Sequence, residues 1–305
     1  MNKKLIITAG SAYTDIDVFA CALAYSELQK TLGNESSVVL PGPLNETISQ
    51  TLKNFKVEYK TTLENRDECE FVLVDISDPK YAASFVDQTK VKYIFDHHPG
   101  FESYWHEKIG DKAIIQPVGS CATLIWEEYK KAGIQDKISH ESALLLYTAI
   151  ISNTLHQQAA ITTDRDRGAL KEIHHHITIP EGWIANYYAE ITASIINYPE
   201  AAMRNDTKIT EINGKMFGII QIELWDSELF IRKNHELIVR TLKAINADHT
   251  FLTTPSISQE HNYLVTEDDA VKKLLNEKLE ATFIGDIGKT KKLWLRKEIM
   301  KALSS

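Results

Sequence analysis

The chain has 305 residues, 43% of them hydrophobic and 25% charged, which is long enough for two medium domains and too apolar for a disordered chain. Asp and Glu (42) outnumber Lys and Arg (34), and a formal charge of −8 argues against a protein that coats nucleic acid or anionic membrane. Cys21, Cys69 and Cys121 are far apart and form no CxxC pair, so neither a disulfide framework nor a Cys-rich zinc knuckle is expected.

In chain order, Leu5–Thr8 reads as a strand, followed after Asp17 by Phe19, Leu23, Ala24 and Leu28 at helical spacing. Ser37–Leu40 is a second short strand, closed by Pro41-Gly42-Pro43. Phe71–Val74 and Val91–Phe95 are further strands, with a helical stretch expected from Tyr81 to Thr89 between them. Short apolar runs alternating with helical patterns imply βαβ units and a parallel sheet. From Cys121 to about Ile173 the pattern is mostly helical. The chain turns polar around residues 196–206, and the domains are set at 1–190 and 196–305 with a linker at about 191–195. In the second domain, Ile209–Ile212, Asn213-Gly214 and Met216–Leu224 form a hairpin. A helix from Ser227 to Ala247, strands at Phe251–Thr254 and Tyr263–Val265, and a helix at Asp268–Leu279 follow. Nothing approaches the length of a transmembrane run and the first residues are too short for a signal peptide, so a soluble, cytoplasmic protein is expected.

The chemistry lies at the strand ends. Asp15-Ile16-Asp17 follows the first strand, Asp75 the third, and Asp96-His97-His98 the fourth. In an open parallel sheet the carboxyl ends of the strands converge on one crevice. Asp15, Asp17, Asp75 and His97 could therefore meet, and clustered carboxylates stay ionised together only around a cation. Carboxylate oxygens with one imidazole suit Mn²⁺ or Mg²⁺. The plainer reading of each aspartate alone is a helix cap or turn residue. Gly119-Ser120 could offer backbone N–H groups to an anion, with Ser120 equally readable as an N-cap. Two signals carry less. Gly285-Asp286-Ile287-Gly288-Lys289-Thr290 has the wrong spacing for a phosphate loop and reads as a basic turn, and His174-His175-His176 reads as a solvated helix end.

The motifs Asp15-Ile16-Asp17, Asp75, Asp96-His97-His98 and Ile151-Ser152-Asn153-Thr154, in this order, resemble those of the DHH phosphoesterases, with the nearest likeness to the manganese-dependent (family II) inorganic pyrophosphatases. Val118–Thr123, Thr162-Thr163-Asp164, Asp206-Thr207-Lys208 and Leu295-Arg296-Lys297 support that branch. The resemblance implies an α/β protein of two domains, an N-terminal parallel-sheet DHH domain and a smaller C-terminal α/β domain, with the active site in the cleft between them. It implies metal ligation by Asp15, Asp17, Asp75 and His97, with Asp75 bridging two ions and also serving catalysis. His98 would contact substrate and assist proton transfer, while Lys208, Arg296 and Lys297 would hold the phosphates. It also suggests a homodimer formed by edge-strand pairing.

Two positions depart from the family pattern. Ser11 replaces a metal-binding His and Asn153 replaces an Asp, so both are weak ligands and one or two divalent ions are expected. The function implied is a divalent-metal hydrolase acting on pyrophosphate or short polyphosphate. The alternative is a catalytically weak or inactive relative that binds phosphate or nucleotide for regulation. A DHH exonuclease is disfavoured, because the chain has no Gly-Gly pair for a glycine-rich substrate loop.

Overall fold

In a computed structural model, described over residues 4–66 and 69–304, the chain divides into two compact units. One comprises the residues up to 157 together with 161–184; the other comprises 158–160 and the residues from 185 onwards.

The first unit contains β1 (Lys4–Thr8), α1 (Ile16–Thr31), β2 (Ser36–Val38), α2 (Gln50–Lys53), β3 (Cys69–Val74), β4 (Val91–Asp96), α3 (Glu102–Ile109), β5 (Ala113–Ile115), α4 (Cys121–Ala132), α5 (His140–Asn153) and α6 (Asp164–His176). The strands form one parallel sheet in the order β2-β1-β3-β4-β5. In this order the chain reverses its winding between β1 and β3, so the carboxyl ends of these two strands flank the crevice where such sheets bind ligands. The aspartates of the first two motifs follow β1 and β3. α1 is buried on nearly all its faces because its sequence is apolar all round, and it packs against α4 and α5. The Tyr129 hydroxyl donates to the Ala24 carbonyl at 2.7 Å and ties α4 to α1.

The helix expected over Tyr81–Thr89 does not form. The segment is irregular, ending in a 3₁₀ turn at Gln88–Lys90. Ala82 bridges Gly10, the Ala83 N–H donates to the Ala9 carbonyl, and Ala83 and Phe85 are inserted into the core under β3. Alternate burial of this kind suits an extended chain rather than a helix. The Asp87 side chain then accepts from the Thr89 N–H and starts the 3₁₀ turn. The short β5 and α3 had no clear periodicity in sequence.

The second unit contains α7 (Trp183–Asn197), α8 (Pro199–Asn205), β6 (Thr207–Ile212), β7 (Lys215–Gln221), α9 (Glu228–Lys243), β8 (His249–Ser256), β9 (His261–Val265), α10 (Asp269–Leu279), β10 (Thr282–Ile284), β11 (Ile287–Lys289) and α11 (Arg296–Ser304). Residues 191–195, read from sequence as a linker, lie within α7. Six strands form a mixed sheet in the order β10-β11-β9-β8-β7-β6, in which only β7 and β8 run parallel. Asn213 and Gly214 both have positive φ (51° and 76°), which a primed hairpin turn requires. Ile219, Phe251, Leu264, Leu275 and Ile299 form the core between the sheet and helices α10 and α11. Gly285 (φ 64°) lies at the tip of the β10–β11 hairpin, so this glycine segment is a tight turn. No helix among the described residues is long and apolar enough to cross a membrane.

Candidate metal centre

Asp75 immediately follows β3 with φ at 55°, a left-handed conformation that aspartate tolerates better than most residues. Its backbone N–H donates to the Phe95 carbonyl at 2.7 Å, which continues the β3–β4 pairing while the chain turns. One strand away, the buried Asp96 side chain folds the DHH segment onto itself. Its Oδ1 accepts from the His97 N–H (2.7 Å), the His98 N–H (3.1 Å) and the His98 Nδ1 (2.8 Å). The two imidazoles are thereby set nearly perpendicular, 4.6 Å apart.

His97 Nδ1 lies 3.0 Å from the Val118 carbonyl. A carbonyl only accepts, so Nδ1 carries a proton, which leaves Nε2 as the atom that can ligate a metal when the ring is neutral. Nε2 lies 3.3 Å from Asp75 Oδ1, which is buried and has no hydrogen-bond partner among the described residues. A buried carboxylate and an imidazole nitrogen that face each other need a proton or a cation between them, and a divalent ion can fill that place. Asp75, His97 and His98 each offer a ligand atom within 4.8 Å of the others. The residues therefore fit a divalent ion, and the mixed nitrogen and oxygen donors suit Mn²⁺.

Asp15 and Asp17 lie outside that set but belong to the same electrostatic group. Asp15 caps α1, accepting from the Val18 N–H at 3.0 Å. Asp17 is fully buried, and its Oδ1 accepts from the Ser120 hydroxyl (2.8 Å) and the Ala122 N–H (2.9 Å), while Oδ2 accepts from the Cys121 N–H (2.9 Å). Ser120 is also the N-cap of α4. Both sequence readings of Gly119-Ser120 thus hold together, and the anion at this helix end is Asp17, a side chain of the protein itself. Burial, then the charge of Asp15, pushes the Asp17 carboxyl up to about 6 against the pull of those hydrogen bonds. Burial, followed by Asp17 and Asp15, holds Asp75 well above the usual carboxylate range. Mutual destabilisation of this kind is relieved by a cation.

Ser11 is exposed in the loop between β1 and α1. Asn153 ends α5 and turns its Nδ2 back to the Ala149 carbonyl at 3.2 Å. Neither is drawn into the Asp75–His97–His98 set.

One residue of this region escaped the sequence reading. The Asp166 carboxylate is completely buried and accepts from Gly119 N–H (2.8 Å), Thr163 N–H (2.7 Å), Thr163 Oγ1 (2.6 Å) and Thr123 Oγ1 (2.6 Å). It joins the start of α6 to the start of α4, and so supports the helix end that holds Asp17. The capping-box spacing from Thr163 to Asp166 was the legible signal. The close fit at Gly119, where an added Cβ would meet Thr154 Cγ2 at 2.6 Å, was not.

In the second unit, Arg296 opens α11. Its Nη1 donates to the Asp206 carbonyl (2.7 Å), and its Nη2 pairs with Asp206 Oδ1 (2.6 Å). Lys208 on β6 has its ammonium pulled below the usual lysine range, by desolvation first and then by the charge of Arg296. The two cationic side chains are near enough to disfavour each other's charge. Lys297 follows on the same helix turn, half-buried.

No family model matches the chain. The chain is 26% identical to a "probable manganese-dependent inorganic pyrophosphatase" of Lactobacillus helveticus over 287 residues, covering 91% of this chain and 89% of that protein. The same figure holds for a protein so named in Clostridium acetobutylicum, over 289 residues and 91% of each chain. Among solved structures, one described as a family II inorganic pyrophosphatase of Methanococcus jannaschii superposes with a TM-score of 0.70 at 22% identity, covering 99% of this chain and all of that one. An exopolyphosphatase-related protein from Bacteroides fragilis gives 0.52 at 13% identity, covering 98% of this chain and 90% of that one. The structural likenesses establish the two-part α/β fold.

Proposed function

Taking the chain as a relative of the manganese-dependent inorganic pyrophosphatases, we propose that it is a divalent-metal-dependent phosphohydrolase acting in the cytoplasm on a phosphoanhydride such as pyrophosphate or short polyphosphate. The observation that carries this reading is the convergence of Asp75, His97 and His98, whose ligand atoms lie within 4.8 Å of one another. Asp75 and His97 hold the ion, His98 is within reach of it, and Asp17 and Asp15 supply the surrounding negative charge. When bound, Mn²⁺ or Mg²⁺ supplies a water of lowered pKa and neutralises phosphoryl oxygens. The half-exposed His98, oriented through Nδ1 by Asp96, presents its other nitrogen to substrate and moves a proton there. Lys208, Arg296 and Lys297 bind phosphate oxygens and stabilise charge on the leaving phosphate. With Ser11 and Asn153 as weak ligands, one ion is held firmly and a second loosely.

The test is direct: purified protein with Mn²⁺ releases phosphate from pyrophosphate or tripolyphosphate, and equilibrium dialysis finds one tight Mn²⁺ per chain. If no phosphate is released with Mn²⁺, Mg²⁺ or Co²⁺, the enzyme reading is wrong. The alternative, a phosphate-binding regulatory relative, draws on Asn153, whose amide turns back to its own helix. A gain of several orders of magnitude in activity from near nothing on combining Ser11→His with Asn153→Asp would favour it. The dimer suggested by the resemblance predicts twice the chain mass in sedimentation velocity.

A further inference from the structure

The basic residues Arg296 and Lys297 stand at the start of α11, and α11 is joined to β11 by residues 290–295, which have no regular structure. Ile299 and Leu303 bury the body of the helix in the core. That burial holds the helix against the sheet, the Arg296 N–H donates to Gln221 Oε1 and the Leu295 N–H to Glu298 Oε2, and the first turn is set further by the segment leading into it.

One residue grips that segment at both ends. Asn262 on β9 is fully buried. Its backbone N–H donates to Thr290 Oγ1 (2.8 Å) and its carbonyl accepts from the Thr290 N–H (3.0 Å). Thr290 Oγ1 donates onward to the Lys292 carbonyl at 2.7 Å. The Asn262 side chain reaches the other end of the segment. Its Oδ1 accepts from the Trp294 N–H (2.8 Å) and its Nδ2 donates to the Trp294 carbonyl (2.7 Å). The second Nδ2 hydrogen goes to Thr253 Oγ1 at 2.7 Å, while the Trp294 N–H and carbonyl fix the orientation of the amide. The side-chain amide thus pairs with both the N–H and the carbonyl of Trp294, as a residue of a neighbouring strand would, two residues before Arg296. No other side-chain type offers a donor and an acceptor side by side at this length.

We propose that Asn262 is a positioning residue for the anion-binding end of the second unit: it fixes the Trp294 backbone and thereby holds Arg296 and Lys297 in register for phosphate. This rests on the phosphohydrolase reading above. It adds a residue that touches neither substrate nor metal.

The experiment compares Asn262→Ala, Asn262→Asp and Thr253→Val in the full chain. Asn262→Asp keeps the acceptor for the Trp294 N–H but replaces the donor facing the Trp294 carbonyl with a second oxygen. Thr253→Val removes a buried bond of Asn262 and leaves the grip on Trp294, so it reports what a merely structural role would do. The expected result is a rise in KM for pyrophosphate of about tenfold in both Asn262 variants, with Mn²⁺ affinity within twofold of wild type and amide exchange faster over residues 290–297. Thr253→Val loses thermal stability but keeps KM within twofold. Unchanged KM in folded Asn262→Asp, or equal KM changes in Thr253→Val, overturns the proposal. Unchanged exchange over 290–297 in Asn262→Ala overturns it whatever the activity. A wild-type chain that neither hydrolyses pyrophosphate nor binds imidodiphosphate instead overturns the functional reading, and with it any role for Asn262 in that reaction.

Discussion

The acidic site of the first unit and the basic site of the second are built in opposite ways. At the first, two buried carboxylate oxygens, Asp75 Oδ1 and Asp96 Oδ2, have no hydrogen-bond partner, and the carboxyl groups of Asp17 and Asp75 are pushed towards protonation. At the second, Arg296 is already held by the carbonyl and carboxylate of Asp206, and the segment before it is pinned by Asn262. On the proposed reading, the first site calls for a cation to relieve it, whereas the second is ordered in advance. A cation concentrates enough charge to reorganise a buried cluster, but arginine and lysine side chains are flexible and must be ordered beforehand to bind an anion well.

The sharpest test of this contrast is Asp75→Asn. It removes a buried carboxyl whose charged form the fold disfavours, so the metal-free protein becomes more stable, while Mn²⁺ affinity falls by more than about 100-fold, beyond the loss typical of residues outside the ligand set. Calorimetry with and without Mn²⁺ reads both. If Asp75→Asn destabilises the metal-free protein, the first site is not held in tension.

The pH dependence is the next largest effect. Asp17 titrates near 3.8 when unfolded and about 6 when folded, so the native state binds the extra proton. Its contribution is fully present below the unfolded value and is lost as pH rises through about 6. The metal-free protein should therefore lose up to about 3 kcal/mol between pH 4 and 7 from this group. Saturating Mn²⁺ should flatten or reverse the slope in urea titrations at each pH.

Asp166→Asn comes third. The new amide turns N–H groups towards donors from Gly119, Thr163 or Thr123, which costs about 2 kcal/mol by denaturant titration, with a smaller drop in Mn²⁺ affinity through the start of α4. The smallest effect is expected at Asp206→Asn. The carbonyl of residue 206 still holds Arg296, and loss of the adjacent negative charge should lower KM for pyrophosphate by about twofold. A large rise in KM would mean that Arg296 is not ordered in advance by its backbone contacts.

Much of the first site was readable because strand ends and acidic motifs are local features. A parallel sheet directs its carboxyl ends one way, so Asp75 and His97 could be placed together before any coordinates. Asp96 was harder to read, since its three contacts to the DHH segment depend on how the chain turns after β4. Tyr81–Thr89 misled because its apolar residues suit helical spacing, yet Ala83 and Phe85 are drawn into the core under β3.

The sequence by itself determined the βαβ texture of the first half, the hairpin at Asn213-Gly214, the helix caps and the order of the acidic and basic motifs, because each depends on residues a few positions apart. Only the tertiary structure decided that the anion at the start of α4 is Asp17, that His97 Nε2 meets Asp75, and that Asn262 grips the backbone of a residue 32 positions away. Those outcomes depend on which elements become neighbours in the folded chain, and neighbour choice is settled by burial of the whole core rather than by any short stretch of sequence.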